Sequence, residues 1–266
     1  MSVLDDLRSL AVHTGFRKLF AVRLVSQCGD GMFQVGLATL FFFSPENMAT
    51  ATGVASAFAV LLLPFTVVGP FAGPLLDRWR RRQVLLVGNA VRVVLALVLA
   101  ALMATVGVGP AVYVLALVTL GVNRFLLAAL SAGLPLVVPR DKLLMANAIT
   151  PTLGAAAAAV GGALGLLIGV LVPPGRTADA AELVVAALLF GGASALALRL
   201  GRAQLGPVVR VDTHELKNQL AGTVREIVDG AHYLVARGTP GMALGVMAVH
   251  RFLYGANFIA LILMSR

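Results

Sequence analysis

The sequence predicts an all-α membrane protein with about seven transmembrane helices. Hydrophobic residues make up 59% of the 266 residues and charged residues only 12%, and the mean hydropathy is +0.93. A soluble domain carries about 25% charged residues, so this chain has too few charges to cover a soluble globule. Seven apolar segments reach the length of about 20 residues that a bilayer-crossing helix needs. Soluble enzymes, nucleic-acid-binding proteins and disordered chains are therefore excluded as the main interpretation.

The predicted spans follow one another with short polar or Pro- and Gly-rich turns between them, as at 107–110 and 173–175. They cover approximately residues 18–43, 50–76, 83–106, 111–137, 144–172, 181–199 and 241–264. The long segment 199–240 is not a span. Asp212 and Glu215 predict a helix N-terminus there, followed by apolar residues at helical spacing. We expect either an amphipathic helix on the cytoplasmic membrane face or a linker helix packed on the ends of the spans.

The orientation follows from the basic residues in the connections between spans. Fifteen Lys and Arg residues lie in the connections on one side and two, Arg176 and Arg266, on the other. Cytoplasmic loops carry the excess of basic residues, so the N-terminus is predicted to be cytoplasmic in a multi-pass protein of the plasma (inner) membrane. The net charge of +9 is explained by this bias, and we expect no nucleic-acid partner. The single cysteine, Cys28, excludes a disulfide framework.

A motif lies between the second and third spans, where residues 73–82 read Gly-Pro-Leu-Leu-Asp-Arg-Trp-Arg-Arg-Arg. It resembles the loop 2–3 signature of the major facilitator superfamily, Gly-x-x-x-Asp-Arg-x-Gly-Arg-Arg. The matching residues are Gly73, Asp77, Arg78, Arg81 and Arg82, while another arginine replaces the second glycine. The resemblance implies that this acid and its basic loop help to lock the outward-facing state. The alternative is a plain cytoplasmic cluster of basic residues.

Weaker resemblances follow in later spans. Arg124 in span 4 resembles the intramembrane arginine of the family's fourth helix, and Gly161-Gly162 resembles the end of the antiporter motif in the fifth helix. Residues 138–148 and 23–31 are similar to the drug–proton antiporter branch that includes macrolide and siderophore exporters. Independently of any family, Gly161, Gly165 and a third glycine four residues later form a small-residue stripe suited to tight helix packing.

The resemblance implies the six-helix N-terminal half of the major facilitator fold, built from two inverted three-helix repeats. We expect a six-helix domain at 1–200, a cytoplasmic connector with an amphipathic helix at 201–240, and the first helix of a truncated C-terminal domain at 241–266.

Polar residues inside the spans are the candidate pathway residues, since ionisable groups within a bilayer are costly and usually functional. Arg23, Gln27, Asp30 and Gln34 are spaced 4, 3 and 4 apart, which predicts one polar stripe on span 1 facing a water-filled cavity. We expect Asp30 to be the only acid within a span. Arg92 and Arg124 are its candidate partners, or partners of an anionic substrate group.

Asp30 has two interpretations. In the first it carries the coupling proton, because burial favours the neutral carboxyl while a nearby arginine favours the ionised form. In the second it is structural and bonds an arginine to hold two helices together.

The function implied by the resemblance is efflux of a small amphipathic compound in exchange for protons, by alternating access within the lipid bilayer. The proton gradient would supply the energy, and no cofactor, metal or catalytic residue is expected. The alternative is a truncated, non-transporting protein, or a half-transporter that needs a homodimer or a second chain. An intramembrane enzyme is the least favoured class, because no His-Glu-x-x-His or Gly-x-Ser-x-Gly motif is present.

Overall fold

The computed structural model describes residues 3–42, 76, 79–107, 109–172, 176–206 and 213–264. The helices, in chain order, are α1 (Val3–Ala11), α2 (Thr14–Phe42), α3 (Arg81–Thr105), α4 (Pro110–Gly133), α5 (Leu143–Leu171), α6 (Arg176–Ala197), α7 (Thr213–Ala236) and α8 (Thr239–Met264). Two short 3-10 turns, Leu134–Leu136 and Arg140–Lys142, join α4 to α5. No strand occurs within these ranges, so the all-α prediction is confirmed for the described part of the chain.

Local sequence sets the helix boundaries. Gly107 has a φ of 88°, and its N–H donates to the carbonyl of Leu102, which ends α3 in a left-handed cap that glycine adopts without strain. Pro110 then opens α4, where its missing N–H costs nothing. Gly238, with a φ of 66°, separates α7 from α8 in the same way.

Four helical segments within the described ranges are long and apolar enough to cross a membrane: Arg81–Thr105, Pro110–Leu136, Arg140–Leu171 and Ala178–Ala197. They coincide with the third to sixth predicted spans, and many of their large apolar side chains, such as Leu144 and Leu188, are exposed where lipid would lie. The first and seventh predicted spans correspond to α2 and α8, which are helical but are not among these four. The second predicted span lies outside the described residues.

Helix α6 lies between α2 and α3 and packs against both along much of its length. Helix α2 packs on its other side against α5, and α3 packs against α4. Helix α2 is therefore held by α5 on one side and by α6 on the other.

The α2–α5 interface depends on glycine in both helices. A Cβ added at Gly31 of α2 would overlap the carbonyl oxygen of Ala158 in α5. A Cβ added at Gly161 of α5 would overlap the carbonyl oxygen of Cys28 in α2. The two backbones approach this closely because neither position carries a side chain, as is common between transmembrane helices.

The buried apolar side chains form two clusters, one toward each end of the bundle. The first cluster includes Phe16, Leu85 and Leu126. The second includes Phe33, Leu99 and Phe190. Between the two clusters, α2, α3 and α4 bury polar side chains, so the bundle has a polar layer at mid-depth; these are Arg23, Ser26, Asp30, Asn89, Arg92 and Asn123.

Helices α7 and α8 contact each other but pack little against the rest of the described chain. The helix predicted in segment 201–240 is confirmed as α7, and its apolar residues Val224 and Ile227 are about half exposed. Whether its apolar side meets the membrane surface or other helices stays a prediction. Most described residues of α8 are exposed, including Phe252 and Tyr254.

Candidate functional site

A buried ion pair lies in the polar layer. Asp30 of α2 is 3% exposed and Arg92 of α3 is fully buried. An Nη2 hydrogen of Arg92 is donated to Oδ1 of Asp30, so the two charges neutralise each other in direct contact. The other carboxylate oxygen, Oδ2, is buried and accepts no hydrogen bond within the described chain. Such a pair stays stable only because both charges are present, since removing one leaves the other buried and uncompensated.

A chain of hydrogen bonds extends from this pair along α2 and α3. Nη1 of Arg92 donates to the hydroxyl oxygen of Ser26 over 3.2 Å, and the Ser26 hydroxyl donates to Oδ1 of Asn89 over 3.1 Å. The Asn89 amide donates to the carbonyl of Leu85, one turn earlier in α3, over 2.8 Å. Two side chains of α2, Ser26 and Asp30, therefore hold the guanidinium of Arg92. These bonds connect α2 to α3 and depend on the distance between the two helices.

Helix α6 supplies an aromatic face to the same arginine. The guanidinium carbon of Arg92 lies 3.6 Å from the ring centroid of Phe190. A cation over an aromatic face in a desolvated site is stabilised by about 2 kcal/mol. Phe190 therefore compensates part of the cost of burying Arg92, and α2, α3 and α6 meet at this one side chain.

The predicted polar stripe of α2 divides between different environments. The expectation that Asp30 faces a water-filled cavity is wrong for this conformation, because its carboxylate points to Arg92 inside the bundle. Arg23 is buried and Gln27 half-buried, and both face Gly154 of α5. Gln34 is exposed. The positions share one helix face, which is covered from Arg23 to Asp30 and exposed at Gln34.

The structure distinguishes the two candidate arginine partners. Arg92 is the arginine that pairs with Asp30, and Arg124 of α4 is half-buried. Its neighbour Asn123 is 3% exposed and places α4 in the same polar layer.

Two arginines of the loop 2–3 motif hold the start of α3 to the end of α6 and to the turn segment that follows it. Nη2 of Arg82 donates to the carbonyl of Leu198, which directly follows the last residue of α6, over 3.3 Å, and basic side chains stabilise the carbonyls at a helix C-terminus in this way. Nη1 of Arg81 donates to the carbonyl of Leu205, in the turn segment after α6, over 3.1 Å. The other three motif residues, Gly73, Asp77 and Arg78, lie outside the described residues.

The glycines predicted to pack α5 tightly face α2. Gly161 meets the backbone of α2, and Gly162 and Gly165 both lie against Val35, 3.3 Å from where their added Cβ atoms would be. Their contacts are with α2 along successive turns.

Sequence reasoning missed several residues of this region. The expectation that Asp30 is the only acid within a span is wrong, because Glu182 lies in the sixth predicted span and is 2% exposed. Ser26 and Phe190 were also missed. Ser26 precedes Asp30 by one helical turn, a spacing that could have identified it, whereas nothing in the sequence marks Phe190 among the thirteen phenylalanines.

The Asp30–Arg92 site can exist in two charge states, with the carboxyl of Asp30 either ionised and paired with Arg92 or protonated. Protonation of Asp30 would remove the counter-charge of Arg92 and leave a neutral carboxyl that still hydrogen-bonds. The described residues here supply one carboxylate, one guanidinium and neutral polar groups, which suits proton binding and electrostatic switching.

The chain is similar over nearly its whole length to two longer proteins that are named transporters. The chain is 37% identical over 265 residues, 98% of its length, to an uncharacterized MFS-type transporter of Mycobacterium bovis, and equally to one of Mycobacterium tuberculosis. No family model matches the chain. The chain spans 59% of the length of each of these relatives. Both relatives are named as transporters of the major facilitator superfamily (MFS), and the described part of this chain contains four helical segments that are long and apolar enough to cross a membrane.

Proposed function

We propose that this chain is the N-terminal six-helix half of a major facilitator transporter of the drug–proton antiporter type, and that it exports a small amphipathic compound in exchange for protons. The observation that carries the proposal is the Asp30–Arg92 pair, an ion pair buried at mid-depth between two predicted spans. Buried charges of this kind are expensive in a membrane and usually serve transport.

The coupling step follows from the pair's geometry. When Asp30 is ionised, Arg92 is held to α2 by the carboxylate and by Ser26. When Asp30 takes a proton, the electrostatic attraction between α2 and α3 falls and the arginine is free to bind another anionic group. Proton uptake at Asp30 and a change in helix packing are thereby linked.

The helix packing supports the repeat arrangement. On this proposal α2, α3, α4 and α6 are the first, third, fourth and sixth spans. The twofold rotation that relates two inverted three-helix repeats exchanges span 1 with span 4 and span 3 with span 6. It therefore converts the contact of α2 with α6 into the contact of α4 with α3. Both contacts are present, and the α3–α6 contact maps onto itself. This is the pattern that two inverted three-helix repeats produce.

A complete pathway needs a second helical half. The relatives are longer than this chain, and most of α8 is exposed, as expected for a helix that would pack against further helices. We propose that the second half is either a continuation of the same polypeptide, a second chain, or another copy of this chain. A non-transporting remnant is the competing function, and it predicts a lone 27.5 kDa species on mild detergent extraction.

Transport is tested in membrane vesicles that contain the protein in its native assembly, with ethidium as a fluorescent amphipathic probe. An imposed pH gradient is expected to drive ethidium movement in the wild type. Asp30→Asn is expected to abolish the gradient-driven movement at equal protein level. Asp141→Asn, at an exposed acid of the α4–α5 connection, is the matched control and should transport normally.

Two results would contradict the proposal. Gradient-driven ethidium movement that is unchanged in Asp30→Asn would exclude Asp30 as the coupling residue. Absence of movement in the wild type, together with a lone 27.5 kDa species, would favour the non-transporting remnant.

A further inference from the structure

Glu182 is a buried acid that the proposed coupling step does not use. It lies in the second turn of α6, near the end that the basic-residue count predicts to face outside. Its carboxyl group fits between two glycines, Gly36 of α2 and Gly169 of α5. Oε2 lies 3.2 Å from where a Cβ would be at Gly36, and Oε1 lies 3.4 Å from the same point at Gly169.

Because glycine has no side chain, neither Gly36 nor Gly169 offers the carboxyl a side-chain hydrogen-bond donor. Within the residues that the structure describes, Oε2 is buried and has no hydrogen-bond partner. An ionised carboxylate in such surroundings pays a desolvation cost far above that of a neutral carboxyl, and a group in this position normally takes up a proton.

The charges around Glu182 increase this cost. Asp179 lies three residues earlier on the same side of α6, half-buried, and repels a negative charge on Glu182. Helix α5 contains no ionisable residue, α2 contains none after Asp30, and α3 contains none after Arg92. Arg176, at the start of α6, is six residues before Glu182 in the sequence.

We propose that Glu182 is a proton-binding site, neutral while α2, α5 and α6 are packed as in this structure and ionised when these helices separate and admit water. The proton passes from water to a carboxylate oxygen on closing and returns to water on opening. This inference rests on the proposed function for its role, since alternating access supplies the opening, but the protonation state itself is independent of Asp30.

A proton fits this site better than a metal cation. Calcium and magnesium ions require at least six oxygen ligands. The described residues contain no group of three His, Cys, Asp or Glu side chains that could hold a metal ion. One buried carboxyl with a single acidic neighbour can bind a proton without any further ligand.

The test is infrared spectroscopy of the protein reconstituted in lipid, which separates the C=O band of a protonated carboxyl from carboxylate bands. At neutral pH the wild type should show a buried C=O band that shifts slowly in D2O. Glu182→Gln should lose this band and keep the wild-type Tm, because Gln replaces a neutral carboxyl without adding a charge. Asp179→Asn, the matched control, should retain the band.

Glu182→Asp provides a second variant should Glu182→Gln fail to fold, and it should move the band instead of removing it. A wild type without the band, or a band unchanged in both Glu182 variants, would overturn the proposal. An equally large fall in Tm in Glu182→Gln and in Arg176→Gln would also overturn the proposal. That result would show that the carboxyl of Glu182 is ionised and paired with Arg176. Loss of the proposed transport function with the band intact would refute transport and leave this inference standing.

Discussion

Breaking the Asp30–Arg92 pair should cost far more than removing it completely. Asp30→Asn leaves the buried guanidinium of Arg92 with one neutral amide acceptor, the Ser26 hydroxyl and the Phe190 ring. Removing one member of a buried ion pair costs about 3–5 kcal/mol in free energy of unfolding. Arg92→Gln leaves the carboxylate of Asp30 uncompensated and should cost a similar amount.

The double variant Asp30→Asn/Arg92→Gln carries no buried charge at this site. Its two amides can hydrogen-bond to each other, so we expect it to be within about 1–2 kcal/mol of the wild type. The coupling energy from the double-mutant cycle should therefore be about 4 kcal/mol or more. The assay is SDS titration in mixed micelles, followed by far-ultraviolet circular dichroism.

The matched control cycle uses Arg140→Gln and Asp141→Asn, an exposed base and acid in the α4–α5 connection. Exposed charges of this kind contribute about 0–1 kcal/mol, so this cycle should show almost no coupling. The reasoning is refuted if each single variant at the buried pair costs less than about 1 kcal/mol, or if the double variant costs the sum of the two.

Three further substitutions, followed by thermal unfolding in detergent, test the α2–α5 interface and the contacts of Arg92 with Phe190 and Ser26. Gly161→Ala should lower the Tm, because its Cβ would force α2 and α5 apart at a cost of about 1–3 kcal/mol, whereas Gly245→Ala in α8, with open space around it, should leave the Tm unchanged or raise it. Phe190→Leu should cost about 2 kcal/mol, and no loss would show that the ring does not stabilise Arg92. Ser26→Ala should cost about 1–2 kcal/mol by breaking both of its hydrogen bonds, and an effect confined to measurement error would contradict the network.

The sequence was sufficient to locate spans 3 to 6 but not to identify the partners of their side chains. Hydropathy located spans 3 to 6 because length and apolar composition are properties of each segment alone. It could not decide between Arg92 and Arg124 as the partner of Asp30, because that choice depends on which helices become neighbours. The same limit applies to Phe190, whose role requires the contact of α6 with α3.

Glu182 shows a different limit. Its predicted span began at 181 and already contained Glu182, but the expectation of a single acid within the spans overlooked it. In the structure α6 begins at Arg176, and Glu182 in its second turn lies against α2 and α5. This burial depends on the contacts between α6 and its neighbours, which the position of an acid within one apolar segment does not reveal.

The two interfaces of α2 differ in what they respond to, and this difference suggests which one moves. Around Gly31 and Gly161 the α2–α5 interface is built from glycine and backbone contacts, which do not change with protonation at Asp30. The contact of α2 with α3 runs through the Asp30–Arg92 pair and Ser26, with the Phe190 ring of α6 over the guanidinium, and it loses its ionic part when Asp30 takes a proton. On the proposed mechanism, α2 and α5 therefore move together as one unit relative to α3 and α6. Crosslinking of cysteine pairs across α2–α3, measured relative to pairs across α2–α5 at the same pH because thiol reactivity itself depends on pH, should then fall as Asp30 becomes protonated.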